Sequence, residues 1–334
     1  MKKTIIYFAR TAFVAVALLA GTSCSETEKE TAVINDGKVV LTVNLDSGIS
    51  MTTRAALNTE GETKINNVQI FVFNKEGGRL DSYYNGSGSR QVKIRCTTGK
   101  KRVFSIINAP SLSSCTDTTT LLAQTTSLSD NSLAGFVMTG QASATLPAQS
   151  TVNLSVSRIT SRVCIKNISV NFTSEGYKNL EFRINSIYMI NVAGNTDYGV
   201  TAEPTQWYNQ SGHKDSGMDA LLYKSINSSL TSSSTLQNEE YFYVYPNPTA
   251  SDNSDETFSP RFTRLVVEAT LGGTKYYYPI SLPNLERNKT YTVSSLMITR
   301  PGSDNPDKEI TSAECPFNIV VEDWIPGTEQ NLVI

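Results

Sequence analysis

The sequence predicts an all-β protein built as two tandem antiparallel β-sandwich domains with a few short helices. Three observations carry that reading. Runs that alternate apolar and polar residues recur at intervals of roughly 8–12 residues, the spacing of sandwich strands. Turn chemistry separates them: Asn74-Lys75-Glu76-Gly77-Gly78, the NGSGS run at 85–89, Ala109-Pro110 and Gly272-Gly273. The chain has 334 residues, more than one typical domain, with no βαβ rhythm and no short-period repeat.

The first strand organises the rest. Val39, Leu41, Val43 and Leu45 alternate with Val40, Thr42, Asn44 and Asp46, the pattern of a half-buried strand. Arg54 follows in a run of small and hydroxyl residues, the composition of an exposed, cleavable segment. Two readings stand: an ordinary first strand and loop, or a strand released by a protease that cuts between Arg54 and Ala55.

Beyond Arg54, Asn67 to Phe73 places Val68, Ile70 and Val72 on one face and Phe71 and Phe73 on the other. Leu80 to Tyr84 and Gln91 to Arg95 flank the NGSGS turn, and Arg102 to Asn108 reads as a buried strand. Asp117 to Leu128 is the helix of this half, with Asp117 as N-cap and Leu121, Leu122 and Leu128 on one face. Gly135 to Gly140 and Val152 to Val156 fit strands. In the second half, Arg162 to Phe172 and Leu180 to Val192 read as a hairpin around SEGYKN. The polar stretch Ala193 to Asn238 reads as a surface excursion, with a short helix over Met218 to Ile226. Glu240 to Tyr245, Thr263 to Leu271, Lys275 to Leu282 and Thr290 to Thr299 are strands, the middle pair turning at Gly272-Gly273. Phe317 to Val321 follows, and the apolar run Leu332-Val333-Ile334 comes last.

Hydrophobic residues at 39% suffice for real cores. A formal net charge of −2 with interspersed signs argues against a nucleic-acid partner or a basic membrane patch. Lys2, Lys3 and Arg10, then the short apolar run Thr11 to Ala20, read as an export signal. That run is shorter than the about 20 residues of a membrane span. LLAGTSC before and through Cys24 resembles a bacterial lipoprotein signal, with Cys24 as the lipidated residue; a simple secretory peptide is the alternative. The expected organisation is signal 1–23, tether and propeptide 24–54, first sandwich 55–157 and second sandwich 158–334. Cys96, Cys115, Cys164 and Cys315 permit three disulfide pairings, Cys96–Cys115 with Cys164–Cys315 among them, or each is a small buried hydrophobe.

No catalytic residue, metal ligand set or cofactor motif emerges. His213 reads as a solvated loop residue. Asp252-Asn253-Ser254-Asp255 and Asp304-Asn305-Pro306-Asp307 lack the spacing of a calcium loop and read as turns. The tyrosines at 241–245 and 276–278 read as cross-strand pairs ahead of sugar-stacking platforms.

Taken in order, Thr53-Arg54-Ala55, VFSIINAP at 103–110, FVMTG at 136–140, YFYVYPNP at 241–248, TKYYYPISL at 274–282, NKTYTVSSLMITRPGSDNPD at 288–307 and VEDW at 321–324 resemble the fimbrillin A family. These are type V pilus subunits, lipoprotein precursors of Gram-negative anaerobes. The resemblance implies transthyretin-like sandwiches and a non-enzymatic shaft subunit. It implies a precursor lipid-anchored at the outer membrane and palmitate on Cys24. An arginine-specific protease would cut at Arg54–Ala55, and identical or related pilin subunits would join head to tail with minor tip and anchor subunits. The strand bearing Val39, Leu41, Val43 and Leu45 would then be replaced by a C-terminal segment of another copy. Phe317, Ile319 and Val321 alternate as a donor must, but they also suit a last strand of their own sandwich, which leaves 329–334, with Leu332, Val333 and Ile334, as donor. A monomeric or tip-located surface lipoprotein that binds glycan or host protein is the alternative.

Overall fold

The computed structural model describes residues 37–46, 60–212, 217–232, 234–238, 240–252, 261–324 and 332–333. The leader with Cys24, the Arg54–Ala55 bond, His213, Asn253 to Asp255 and Ile334 lie outside them, and for Leu332 and Val333 the strand pairing alone is described.

The first half folds as a two-layer sandwich. Its strands are β1 (Lys38–Asp46), β2 (Asn67–Asn74), β3 (Leu80–Ser87), β4 (Gln91–Thr97), β5 (Gly99–Ile107), β6 (Met138–Leu146) and β7 (Thr151–Ser155). One sheet has the order β4-β1-β7; the other runs β3-β2-β5-β6, with Ser157–Arg158 at its edge. Alternation explains the packing. Val68, Ile70 and Val72 of β2 face the three-stranded sheet, whereas Phe71 and Phe73 join a second core on the opposite side. Both faces of that sheet are thus covered, and the second core continues into the second half through Phe136, Tyr243 and Trp324.

The second half also has two main sheets. β8 (Ser161–Ile165) and β9 (Asn167–Val170) precede β10 (Phe182–Ile190), β11 (Tyr223–Leu230) and β12 (Tyr241–Val244). Then come β13 (Thr263–Leu271), β14 (Thr274–Leu282), β15 (Lys289–Ile298) and β16 (Phe317–Asp323). One sheet has the order β11-β10-β13-β14. In the other, β8 and β9 lie parallel along one side of β15, and β16 lies antiparallel along its other side. Gly272 and Gly273 take positive φ of 56° and 86° in the β13–β14 turn, a conformation that costs glycine little.

Several expectations are corrected. The ladders are not all antiparallel: β1 runs parallel to β7, and β8 and β9 parallel to β15. These partners are far apart in sequence, so no tight turn dictates their direction. The hairpin around SEGYKN does not form, because the chain crosses there from one sheet to the other. The Asp117 capping box is present, its carboxylate accepting the Thr120 amide at 2.7 Å, but the helix spans only Thr118–Leu122. Leu122 is exposed, and Thr125–Ser127 instead pairs with Asn195–Asp197 across the two halves. The helix at Asp219–Leu222 gives way at once to β11, an edge strand whose Ser-rich outer face hid it. All four cysteines are buried free thiols, so neither the Cys96–Cys115 nor the Cys164–Cys315 bond is formed. Apolar packing around each is the physical reason that thiols suit these positions.

Candidate functional site

β1 lies in the middle of its sheet. It pairs antiparallel with β4 from Lys38↔Thr97 to Asn44↔Gln91, and parallel with β7 from Thr42↔Thr151 to Asp46↔Ser155. Its ends are tied as well: Leu45 N–H donates to the Arg90 carbonyl at 2.8 Å, and Val156 N–H donates to the Asp46 carbonyl at 2.7 Å. Val39, Leu41, Val43 and Leu45 are each at most 5% exposed. They fill a trench floored by Val68, Ile70, Val72, Val103, Ile107, Met138 and Leu146, with walls from Val92, Ile94, Val152 and Leu154. On the outer face Gln91 Nε2 donates to Asn44 Oδ1, and Asn44 Nδ2 donates to Asn153 Oδ1, each at 2.9 Å. Side-chain amides therefore bridge all three strands.

The trench walls are held independently of β1. Gly140 lets β6 approach the Ser155 carbonyl closely, where a Cβ would stand 2.2 Å from that oxygen. At the other end Lys101, fully buried, donates to Asp81 at 2.8 Å and Thr97 Oγ1 at 2.7 Å, tying β4 to its neighbours.

Burying four such side chains is worth about 6–12 kcal/mol, an upper bound because an emptied trench relaxes. Taking β1 away would leave β4 and β7 about 9–10 Å apart with unpaired ladder groups, since adjacent strands sit about 4.8 Å apart. A central strand therefore matters more to its sheet than an edge strand does. Leu41→Ala is expected to destabilise the chain by about 2–5 kcal/mol, while Thr42→Ala on the outer face changes it by less than about 1 kcal/mol. Urea unfolding midpoints of the two variants check this, and equal losses would contradict a one-sided slot.

A second constellation fixes the chain on either side of the undescribed segments. Glu62 follows residues 47–59, and Trp324 directly follows β16, just before 325–331. Glu62 is buried, and its carboxylate accepts Arg162 Nη1 at 3.1 and 3.2 Å, Tyr243 Oη at 2.8 Å and Trp324 Nε1 at 3.0 Å. Arg158 donates Nε to the Glu62 carbonyl at 2.7 Å and Nη1 to the Trp324 carbonyl at 3.2 Å, its guanidinium 4.4 Å from the Trp324 ring centre. Burial pushes the Arg158 pKa down to about 10, with Glu62 opposing the shift. Sequence reasoning singled out VEDW but missed Glu62, Arg158 and Arg162. Arg158 and Arg162 carry a weak linear signal, charge within a run of Val, Ile and Ser, whereas Glu62 in the polar run TEGETK at 59–64 carries none.

Of the donor candidates, Phe317, Ile319 and Val321 lie in β16, half-buried against the second core and registered with β15 from Phe317↔Leu296 to Asp323↔Lys289. Leu332–Val333 pairs with Val320 and Val321 at the outer edge of β16. Asp252 and Asp307, weighed as cation ligands, instead face buried arginines: Asp307 binds Arg261 at 2.9 Å and Arg264 at 2.8 Å, and Asp252 binds Arg264.

The fold and slot together define an all-β tandem sandwich whose first sheet is built around the N-terminal strand β1. Residues 38–201 match the family model of the major fimbrial subunit protein (FimA), and over that span the fimbrillin A resemblance is a finding. Three solved structures share the fold. A candidate cell adhesion protein from Bacteroides eggerthii superposes with a TM-score of 0.64 at 20% identity, over 85% of this chain and 95% of that one. A fimbrilin from Porphyromonas gingivalis gives 0.59 at 16%, over 87% and 98%. The tip fimbrial protein Mfa3 from the same species gives 0.53 at 14%, over 86% and 100%. No curated protein matches the chain.

Proposed function

We propose that this protein is a structural subunit of a cell-surface fimbria that polymerises by protease-triggered strand exchange. The observation that carries the reading is the position of β1: central, deeply buried, hydrogen-bonded on both sides, and joined to the rest of the chain through the segment that contains Arg54. Cleavage between Arg54 and Ala55 frees β1 of its covalent link, and its departure opens an apolar trench with two unpaired strand edges. Refilling that trench recovers free energy comparable to the stability of a whole domain, so a replacement strand is strongly favoured.

The replacement comes from another copy. β16 is an integral strand of its own sheet, locked at Trp324, so the donor in this scheme is residues 329–334, which lie beyond the lock. A contact between one copy's C-terminal segment and the next copy's trench is heterologous and does not close, which yields a filament. Until cleavage, β1 occupies the trench and blocks premature assembly. The precursor is lipidated at Cys24 and held at the outer membrane. An arginine-specific protease matures it, and tip and anchor subunits complete the fibre.

The test is to treat purified precursor with trypsin and image the product by electron microscopy. Filaments are expected from the full-length protein, and trimmed monomers from a variant lacking 329–334. Trimmed wild-type protein that stays monomeric at high concentration would overturn the reading.

A further inference from the structure

The outer face of the β11-β10-β13-β14 sheet carries a small, roofed cavity unrelated to the β1 trench. It has a volume of about 200 Å³ and is lined by Tyr188, Tyr223, Glu268, Tyr277, Asn209, Gly212 and Pro306. Tyr188 on β10 and Tyr223 on β11 are register partners whose rings stack 6.1 Å apart at 28°, which forms one aromatic wall. Glu268 on β13 and Tyr277 on β14 are likewise register partners and bring a carboxylate and a third ring to the same face.

The roof is built rather than incidental. A Cβ at Gly212 would stand 2.3 Å from Pro306 Cγ, so two loops meet there in close contact. Asn209 Nδ2 donates to the Met189 carbonyl at 2.8 Å, and Asp307 beside Pro306 is held by Arg261, Arg264 and Asn191. Ser303 and Tyr277 exchange two backbone hydrogen bonds at 2.8 Å, fixing the loop above β14.

The polar groups of this cavity are under-used by the protein. Glu268 Oε1 accepts Lys275 at 3.1 Å and Asn185 at 3.5 Å, which leaves Oε2 without a donor among the described residues. The hydroxyls of Tyr188 and Tyr277 make no hydrogen bond to any described residue. Burial first, then the neighbouring Glu268 carboxylate, push the Tyr188 pKa up, so its hydroxyl stays a neutral donor. Flat apolar walls with two free hydroxyls and a free carboxylate oxygen suit a ring that is apolar on its faces and hydroxylated at its rim.

We propose that this cavity is a carbohydrate subsite that takes a single pyranose unit, stacked on a tyrosine ring and hydrogen-bonded through vicinal hydroxyls to Glu268 and Tyr277. Its walls stand on sheet strands and its roof is pinned, so binding orders little and a lone sugar can be held weakly but selectively. The site is present in the full chain and does not depend on strand exchange.

The test uses full-length protein and the methyl glycosides of glucose, galactose, mannose, fucose, N-acetylglucosamine and N-acetylgalactosamine, each followed by saturation-transfer NMR. At least one is expected to bind with a Kd of about 1 mM or tighter. Tyr277→Phe and Glu268→Gln, which keep side-chain volume, should each weaken that sugar about tenfold while the thermal midpoint stays unchanged. Tyr188→Leu should abolish binding. No response from any glycoside, or a response indifferent to Tyr277→Phe and Glu268→Gln, would overturn the assignment. Either result leaves filament formation by trypsin-treated protein as a separate outcome.

Discussion

Arg54→Ala is expected to leave β1 in its trench and to abolish filaments. The reason is thermodynamic rather than steric. While β1 is covalently attached, an incoming donor must displace a strand at very high effective concentration, and the about 6–12 kcal/mol of burial is already satisfied from within. Cutting the link makes the loss of β1 irreversible by dilution, so the intermolecular strand competes on equal terms. Trypsin treatment of the variant, followed by N-terminal sequencing and electron microscopy, reads both steps. The wild type should yield a chain starting at Ala55 and fibres; the variant should yield neither. Fibres from Arg54→Ala would mean that release of β1 is not the trigger.

Glu62→Ala should be strongly destabilising, at least as much as truncating a buried core side chain. Removing the carboxylate leaves Arg162, Tyr243 and Trp324 without their shared acceptor inside a buried setting, and Arg158 loses the nearby charge that offsets its own burial. Breaking a buried ion pair of this kind costs about 3–5 kcal/mol, because the surviving charge keeps its desolvation penalty. The Arg162→Ala, Glu62→Ala double variant should be less unfavourable than the two single losses added together, since it removes both members of the pair. Guanidinium unfolding of the four species measures the coupling. A Glu62→Ala loss below about 1 kcal/mol would show the constellation to be energetically idle. In the proposed assembly scheme the constellation would grip the chain between the segment released by cleavage and the C-terminal donor.

How much was legible depended on whether the information was periodic. Val39 to Leu45 announced its face through strict alternation and is buried accordingly, while Val68 to Phe73 and the strands on either side of Gly272-Gly273 were legible as apolar runs and are buried on consecutive residues. Tyr223 to Leu230 did not, because an edge strand with a serine-rich outer face resembles a loop in composition. The helix from Asp117 was legible at its start, where a cap is a local hydrogen bond, and not at its end, where pairing of Thr125–Ser127 with Asn195–Asp197 overrides local preference. The tyrosines at 276–278 divided in a way that composition could not foresee: Tyr278 entered the core, and Tyr277 turned to the outer cavity.

The sequence by itself determined the periodic strands, their inward faces and the family resemblance, because a period of two is a property of neighbours along the chain. Only the tertiary structure decided that β1 is central rather than peripheral, that its partner β7 runs parallel, and that Glu62 meets Trp324. Those facts join residues separated by up to most of the chain, and no local rule of hydrogen bonding or side-chain direction encodes which distant strand or charge will fill a given vacancy.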